Sequence, residues 1–291
     1  MNSGDNHRYR RVIVDLPVSA ADRRALRAAA ELARGLDAEL RAMFVEEEGL
    51  LSLARMPFVR EFRLPGHGWQ PIAGEQIAAD MRQAAQAARR MLEEVARAAG
   101  ISGALEVHRG EASALIETVC VETDVVVVLE PARPAERAVQ GYVRRRLAAY
   151  RCAAAMMLLP PELPEERHGV VALAEDGGVL PVAARIAARL NENLTVLTRD
   201  GPEPARSALA AQAQGMRSEQ VRVRRLAGTG GVADIVAALA GGSPRLAVLS
   251  RGTLRPEGEE TVSELARALR APVLVLEPPP PTQQHPAATA H

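Results

Sequence analysis

The chain has 291 residues, a hydrophobic fraction of 47% and a formal net charge of zero, which describes a globular protein with room for two domains. Without a basic excess, the composition argues against a nucleic-acid-binding protein. All 36 basic residues are arginine, so chemistry that needs a lysine is excluded. The two cysteines, Cys120 and Cys152, match neither a disulfide framework nor a metal-binding spacing.

The amino terminus, the length of the apolar runs and the aromatic residues bear on location and packing. The polar amino terminus lacks the apolar core of a signal peptide, and no apolar run reaches the ~20 residues of a membrane span. We therefore expect a cytoplasmic protein with no membrane partner. No aromatic residue follows Tyr150, so aliphatic side chains must pack the second half.

The first half alternates short apolar runs with amphipathic segments. Wholly apolar, β-branched runs such as 124–129 are typical of strands that helices cover on both faces, as in parallel sheets. The predicted strands are 11–15, 39–45, 105–108, 125–129 and 154–159. The predicted helices run from an N-cap at Ser19 to a C-cap at Gly35, and over 75–99, 111–121 and 138–150.

The pattern breaks down between residues 46 and 74. This stretch predicts a long loop with a short helix at 50–55. Long ordered loops in compact domains are often lids or interaction surfaces. We expect the acidic triplet 46–48 to be solvated and not to bind a metal ion.

The second half repeats the first. Apolar positions of the first helix region recur in the second half at one constant offset, which indicates a duplicated domain. The first set is Leu26, Ala29, Ala30, Ala33, Leu36 and Leu40, and the second is Leu180, Ala183, Ala184, Ala187, Leu190 and Leu194. We predict a first domain at 8–161, a linker at 162–167, a second domain at 168–278 and a disordered proline-rich tail at 279–291.

Three segments carry a likeness to a known family. They are Val12-Ile-Val-Asp15, the Ala-Ala-Glu-Leu-Ala run at 29–33 and the helix-plus-strand ending at 262–276. With the doubled β-α-β-α-β-α-β-α-β order, they resemble tandem universal stress proteins. The resemblance implies an α/β fold of two doubly wound domains, each a five-stranded parallel sheet in the order 3-2-1-4-5. It also implies an intramolecular pseudo-dimer joined through the final strands, and leaves a further homodimer open.

The resemblance also implies where a nucleotide would bind. In nucleotide-binding members, an Asp ends the first strand and a glycine motif after the fourth strand wraps the phosphates. Asp15 matches that Asp, but Glu130 and Arg133 replace the leading glycines, and the interval to Gly141 is too short. The arginine run 144–146 is interpreted as a mainly solvated surface. We therefore do not expect ATP in the first half.

The second half retains more of the small residues. Candidates for a degenerate phosphate site, which would take ATP with Mg²⁺, are Asp176, Gly177, Ser250, Gly252 and Thr253, followed by Thr261 and Ser263 ahead of the next helix. The glycine run 228–231 lacks the length and the Lys of a P-loop, and it is interpreted as a turn at the sheet edge.

No catalytic constellation is visible. The six histidines are scattered, and Cys120 falls on an apolar helix face as a small core residue. We expect a non-enzymatic stress-response or regulatory protein that acts through contacts with an unidentified protein, with no resident cofactor. The alternative is an ATP or AMP sensor that uses the second-half crevice, and a weak ATPase is left open. An enzyme of ATP-pyrophosphatase or electron-transfer-flavoprotein architecture would need a phosphate loop or flavin pocket that the sequence does not show.

Overall fold

The computed structural model describes residues 9–16, 23–54, 56, 58–63, 68–71, 74–132, 141–175, 178–199, 216–228, 230–240, 242–254 and 259–277. In the first half the strands are β1 (Arg11–Leu16), β2 (Glu39–Glu47), β3 (Arg60–Arg63), β4 (Gly68–Pro71), β5 (Gly103–Gly110), β6 (Asp124–Leu129) and β7 (Ala155–Leu159). The helices are α1 (Arg23–Leu36), α2 (Glu48–Ala54), α3 (Gly74–Ala99), α4 (Ala112–Val119) and α5 (Tyr142–Cys152). The predicted N-cap Ser19 and tail 279–291 lie outside the described residues.

The described residues of the second half contain counterparts of β1, β2, β5, β6 and β7, and residues 200–215, between its second and third strands, lie outside them. Its strands are β8 (Val170–Leu173), β9 (Leu194–Thr198), β10 (Val221–Arg225), β11 (Leu246–Ser250) and β12 (Val273–Leu276). Its helices are α6 (Val179–Leu190), α7 (Val232–Ala238) and α8 (Glu259–Leu269), with a 3-10 turn at Ser218–Gln220. The residues from 160 to 169, which contain the predicted linker, form no helix or strand, and the domain boundaries themselves stay predictions.

Ten of these strands form one sheet. Its order is β10-β9-β8-β11-β12-β7-β6-β1-β2-β5, so each half shows the predicted 3-2-1-4-5 arrangement of parallel strands. The two halves meet where β7 pairs with β12 in antiparallel register, from Ala155 opposite Leu276 to Leu158 opposite Val273. The final strand of each half is therefore an interior strand of the complete sheet.

Helices cover both faces, as the apolar strands predicted. On one face α1, α3 and α6 bury alternate strand residues such as Val12 and Val14, and on the other α4, α5, α7 and α8 bury residues such as Ile13. Alternate residues of one strand thus enter different cores, which explains why the central strands read as continuous apolar runs.

Two strands near one edge of the sheet, β2 and β5, are longer than the sequence predicted. β2 and β5 pair as far as Glu47 and Gly110, beyond the predicted ends at 45 and 108. Since β5 is an edge strand whose residues are at most partly buried, both of its faces can carry charged side chains such as Glu106 and Arg109. A search for apolar runs misses such positions. The helix predicted at 111–121 ends early because Cys120 caps it in an extended conformation.

The stretch between β2 and α3 is also more regular than the predicted loop. It contains α2 and a hairpin in which β3 pairs with β4, and we call residues 48–71 the β2–α3 excursion. Helix α2 contacts α3 and β5. The excursion is therefore anchored to the first half at its helical end.

Close helix packing joins the two halves on one face of the sheet. Helix α1 of the first half lies against α6 of the second, and a Cβ added to Gly35 would lie 3.0 Å from Ile186 Cγ2. Beside this contact the Glu31 carboxylate forms two ion pairs, one with Arg167 Nη2 at 3.4 Å and one with Arg245 Nη1 at 3.3 Å. Burial lowers the pKa of Arg167, and the charge of Glu31 opposes that shift.

We predict that Gly35→Val lowers the free energy of unfolding by about 1–3 kcal/mol, because the larger side chain forces α1 and α6 apart. Gly49→Val in α2 is the control, since no atom lies within 4 Å of its added Cβ. Urea denaturation followed by circular dichroism measures both. Equal effects at the two glycines would contradict the close packing.

Candidate functional site

In each half, the fold brings the carboxyl ends of the first and fourth strands side by side. These ends are Leu16 and Leu129 in the first half, and Leu173 and Ser250 in the second. In open parallel sheets, ligands bind in the crevice beyond such a topological switch point. The residues at these two places therefore decide what each half could hold.

In the first half, an internal ion pair engages the residue predicted to hold a nucleotide. Asp15, next to last in β1, accepts a hydrogen bond from Arg145 Nη1 at 2.9 Å, and the two side chains are 6% and 7% exposed. Arg145 lies in the first turns of α5. A ligand that needed the Asp15 carboxylate would have to displace a buried guanidinium.

The interpretation of residues 144–146 as a solvated surface is wrong for two of the three arginines. Arg144 is exposed, whereas Arg145 and Arg146 are buried. Arg146 Nη1 donates to Ser263 Oγ at 2.9 Å, and its guanidinium lies 5.3 Å from the Tyr142 ring centroid. The sequence could not show this, because Asp15, which pairs with Arg145, and Ser263, which pairs with Arg146, each lie more than 100 positions away.

Glu130 also differs from expectation. At the place of a leading glycine it would face the same crevice as Asp15, but its buried carboxylate accepts a hydrogen bond from Arg267 Nε at 3.0 Å and a second from Arg267 Nη2. Arg267 lies on α8 of the second half. Each carboxylate thus has an arginine of its own, and Glu130 forms part of the contact between the halves.

Two further first-half candidates add little to a site. Gly141 adopts a left-handed conformation with φ of +61°, as glycine does readily, and it precedes α5. Its carbonyl accepts the Arg145 backbone N–H at 3.0 Å. Arg133 lies outside the described residues.

The second half has no carboxylate at the position of Asp15. Asp15 pairs with Met43 in the register of β1 and β2, and Leu173 pairs with Leu197 in the register of β8 and β9. Leu40 and Leu194 lie opposite Val12 and Val170, which aligns the two registers and places Leu173 at the position of Asp15. The predicted Asp176 and Gly177 lie outside the described residues.

The structure brings Ser250, Gly252 and Thr253 together in one turn after β11. The Thr253 backbone N–H donates to the Ser250 carbonyl at 3.2 Å, and Gly252 has the φ of +84° that the third position of a type II turn needs. Arg199 Nη2 donates to the Thr253 carbonyl at 3.2 Å and lies next to Glu175. This turn is the part of the predicted phosphate site that the described residues retain.

Thr261 and Ser263 do not precede the helix as predicted. Helix α8 begins at Glu259, so both lie within its first turns. Ser263 contacts the first half, because Arg146 donates to its Oγ and Tyr142 Oη lies 3.4 Å away. Burial raises the pKa of Tyr142, which keeps the phenol protonated and able to donate.

The glycine run 228–231 is a turn after the edge strand β10, as predicted. The backbone N–H groups of Gly230 and Gly231 donate to Asp234 Oδ2 at 2.9 and 3.3 Å. These donors face a carboxylate of the same chain and are not directed at a phosphate.

An open groove of about 850 Å³ lies at the other end of the first-half strands, beyond the amino ends of β1 and β2. Four arginines and two carboxylates contribute to its lining: Arg10, Arg11, Arg34, Arg189, Asp37 and Glu39. Arg11 pairs with Asp124 at 2.6 Å and Arg189 with Asp37 at 3.0 Å, so charge is partly balanced within the protein. The groove contains none of the predicted nucleotide residues.

The described residues carry no candidate metal site and no candidate membrane span. They contain no group of three or more His, Cys, Asp or Glu side chains placed to hold a metal ion. None of their helices is long and apolar enough to cross a bilayer.

The sequence matches no protein-family model and no curated protein, whereas solved structures match the fold. A universal stress protein from Archaeoglobus fulgidus has a TM-score of 0.59 at 13% identity, over 91% of this chain and 96% of that one. A protein of unknown function from Pseudomonas aeruginosa has a TM-score of 0.56 at 16% identity, over 94% of both chains. A putative universal stress protein from Pseudomonas aeruginosa has 0.55 at 16%, over 94% and 95%. The predicted resemblance is confirmed at the level of the fold.

We predict that Arg145→Met destabilises the protein by about 3–5 kcal/mol, because it removes the buried guanidinium that offsets the charge of the buried Asp15 carboxylate. Urea denaturation of the single variants and of Asp15→Leu/Arg145→Met measures the effect, and the double variant should recover most of the loss.

Arg144→Met is the matched control. Its ion pair with Glu111 is exposed, so its loss should cost under about 1 kcal/mol. If Arg145→Met were no more destabilising than Arg144→Met, the buried pair would not hold α5 on β1.

Proposed function

We propose that this chain is a non-catalytic regulatory protein of the universal-stress-protein type, which acts by binding a partner protein through the β2–α3 excursion. The observation that carries the proposal is a set of three exposed aromatic side chains on this one excursion. Phe58 is 77% exposed, Trp69 65% and Phe62 46%. We call these three residues the aromatic surface.

The distribution of aromatic residues makes this surface unusual within the chain. The chain has only seven aromatic residues. The four outside the excursion, Tyr9, Phe44, Tyr142 and Tyr150, are buried. Several exposed aromatic side chains on one short segment, which also exposes Leu53 and Met56, are typical of protein-binding surfaces, where aromatic residues supply much of the binding energy.

The aromatic surface is held in a defined geometry. Phe62 pairs with Trp69 across the β3–β4 hairpin, and their ring centroids lie 5.4 Å apart at an interplanar angle of 63°. Such edge-to-face pairs are favourable, and cross-strand pairs stabilise a hairpin. A surface that is ordered before binding loses less conformational entropy when a partner docks.

The first-half crevice supports the same proposal. Its candidate ligand, Asp15, is paired with Arg145, and Glu130 is paired with Arg267. A nucleotide in this crevice would find the Asp15 carboxylate already engaged by a buried arginine of the same chain. These contacts favour a scaffold over a nucleotide site in this half.

An adenine-nucleotide sensor in the second half is the alternative function. The turn formed by Ser250, Gly252 and Thr253, with Arg199 beside it, favours this alternative, since backbone turns and arginines bind phosphates. Leu173 at the position of Asp15 argues against it, because an apolar side chain offers no acceptor to a ribose or an adenine.

Our main proposal, a partner-binding regulatory protein, also includes a cytoplasmic location and the absence of enzymatic activity.

We predict that a photo-reactive benzoylphenylalanine at Phe58 forms a discrete covalent adduct with one partner protein in cells that express the chain. Gel electrophoresis and mass spectrometry of the adduct measure this. Adding Trp69→Ala to the same probe chain should reduce the adduct about tenfold or more, as expected for an aromatic hot spot.

The control places the same probe at Val121, which is 51% exposed and lies outside the excursion. Adducts of equal yield from both positions, or an adduct at Phe58 that Trp69→Ala leaves unchanged, would overturn the proposal. An adduct of twice the mass of the chain would assign the surface to self-association.

A further inference from the structure

The two cysteines of the chain come together although 31 residues separate them in sequence. Cys120 caps the carboxyl end of α4, and Cys152 is the last residue of α5. The two helices pack against each other, and both thiols are free. The packing of α4 on α5 therefore delivers both side chains to one place, at the amino-terminal edge of β6 and β7.

One backbone carbonyl marks this place. Ile116 O accepts the Cys120 backbone N–H at 3.0 Å, and the Cys152 thiol lies 3.7 Å from the same oxygen. Cys152 Sγ also donates to Ala148 O at 3.1 Å. The two thiols are close enough that each shifts the pKa of the other.

We propose that Cys120 and Cys152 form a site of reversible oxidation, in which a hydroperoxide converts the two thiols into an intramolecular disulfide. Cys152 is the thiol that reacts with the peroxide, and Cys120 is the thiol that resolves the product. The site is separate from the aromatic surface and from the crevices at the carboxyl ends of the strands.

The environment distinguishes the two thiols. The interaction between the two thiols lowers the pKa of Cys152, and the same interaction, together with burial, raises the pKa of Cys120. Burial and the charges of Glu117 and Asp124 act in the opposite direction on Cys152 but do not reverse the shift. Cys152 is also partly exposed, whereas Cys120 is buried. The thiolate is the nucleophile, so Cys152 reacts first.

The chemistry balances with hydrogen peroxide, the simplest hydroperoxide, as the oxidant. The Cys152 thiolate attacks one peroxide oxygen, the O–O bond breaks, and Cys152 becomes a sulfenic acid while hydroxide leaves and takes up a proton as water. The Cys120 sulfur then attacks the Cys152 sulfur, its thiol proton leaves with the sulfenic hydroxyl as a second water, and the S–S bond forms. Two thiols are oxidised and one peroxide is reduced, and a dithiol reductant reverses the step.

The disulfide would join the carboxyl ends of α4 and α5. Helix α5 carries Arg145, which binds Asp15, and Arg146, which binds Ser263 of the second half. Oxidation therefore adds a covalent restraint to α5, the helix that lines the first-half crevice through Arg145 and contacts the second half through Arg146.

The test treats the full chain with hydrogen peroxide at neutral pH under native conditions. After catalase has removed the peroxide, the chain is unfolded, labelled with N-ethylmaleimide and weighed intact. The reduced chain should take two maleimides. The oxidised chain should take none, should weigh two hydrogen masses less than the unlabelled reduced chain, and should take two again after dithiothreitol.

Two variants assign the roles. After peroxide, Cys120→Ser should stop at a sulfenic acid that dimedone traps, and Cys152→Ser should still take one maleimide, with oxidation slowed by about tenfold or more. Peptide mapping of the native chain should show the 120–152 link even if a variant does not fold. Two maleimides on the peroxide-treated native chain, or disulfides only between chains, would overturn the proposal.

Discussion

The antiparallel pairing of β7 with β12 is the constraint on which the rest of the structure depends. It joins two five-stranded parallel sheets into one sheet and leaves neither final strand at an edge. Because the strands fix the positions of the helices that follow and precede them, the same pairing brings α1 against α6 on one face. On the other face it brings α5 and α8 close enough for Arg146 to reach Ser263, and Arg267 to reach Glu130. Unpaired edges attract other strands, so the pairing also protects the protein against edge-to-edge association.

Arginine shapes the interior of this protein to an unusual degree. Arg145 lies buried beside Asp15, Arg146 lies buried between Tyr142 and Ser263, and Arg267 supports the buried Glu130. The planar guanidinium can bind a carboxylate through two N–H groups and stack on an aromatic ring, which the lysine ammonium cannot do. In our account, these contacts turn a crevice that could bind a ligand in other proteins of this fold into part of the framework. The framework then presents the aromatic surface.

The sequence predicted what depends on local pattern. Buried β-branched runs such as 124–129 and the helical spacing of apolar residues identified the strands, the helices and the doubled fold, because burial on both faces leaves a direct trace in composition. Contacts between distant residues left no such trace. Arg145 reads as one of three surface arginines until the fold places it beside Asp15, 130 positions away. The β3–β4 hairpin was missed because its strands have only four residues each and lack alternating polarity, and the meeting of Cys120 with Cys152 depends on how α4 packs on α5.

In our proposal the double fold serves as a scaffold for protein contacts and does not bind a nucleotide. A thermal melt followed by circular dichroism, with and without millimolar Mg·ATP, tests it most directly. A ligand at about 100 times its dissociation constant adds about 2.7 kcal/mol to the stability of the native state, which would raise the midpoint by a few degrees. We predict the same midpoint in both conditions. A reproducible rise of a few degrees with the nucleotide would contradict the claim and favour the sensor in the second half.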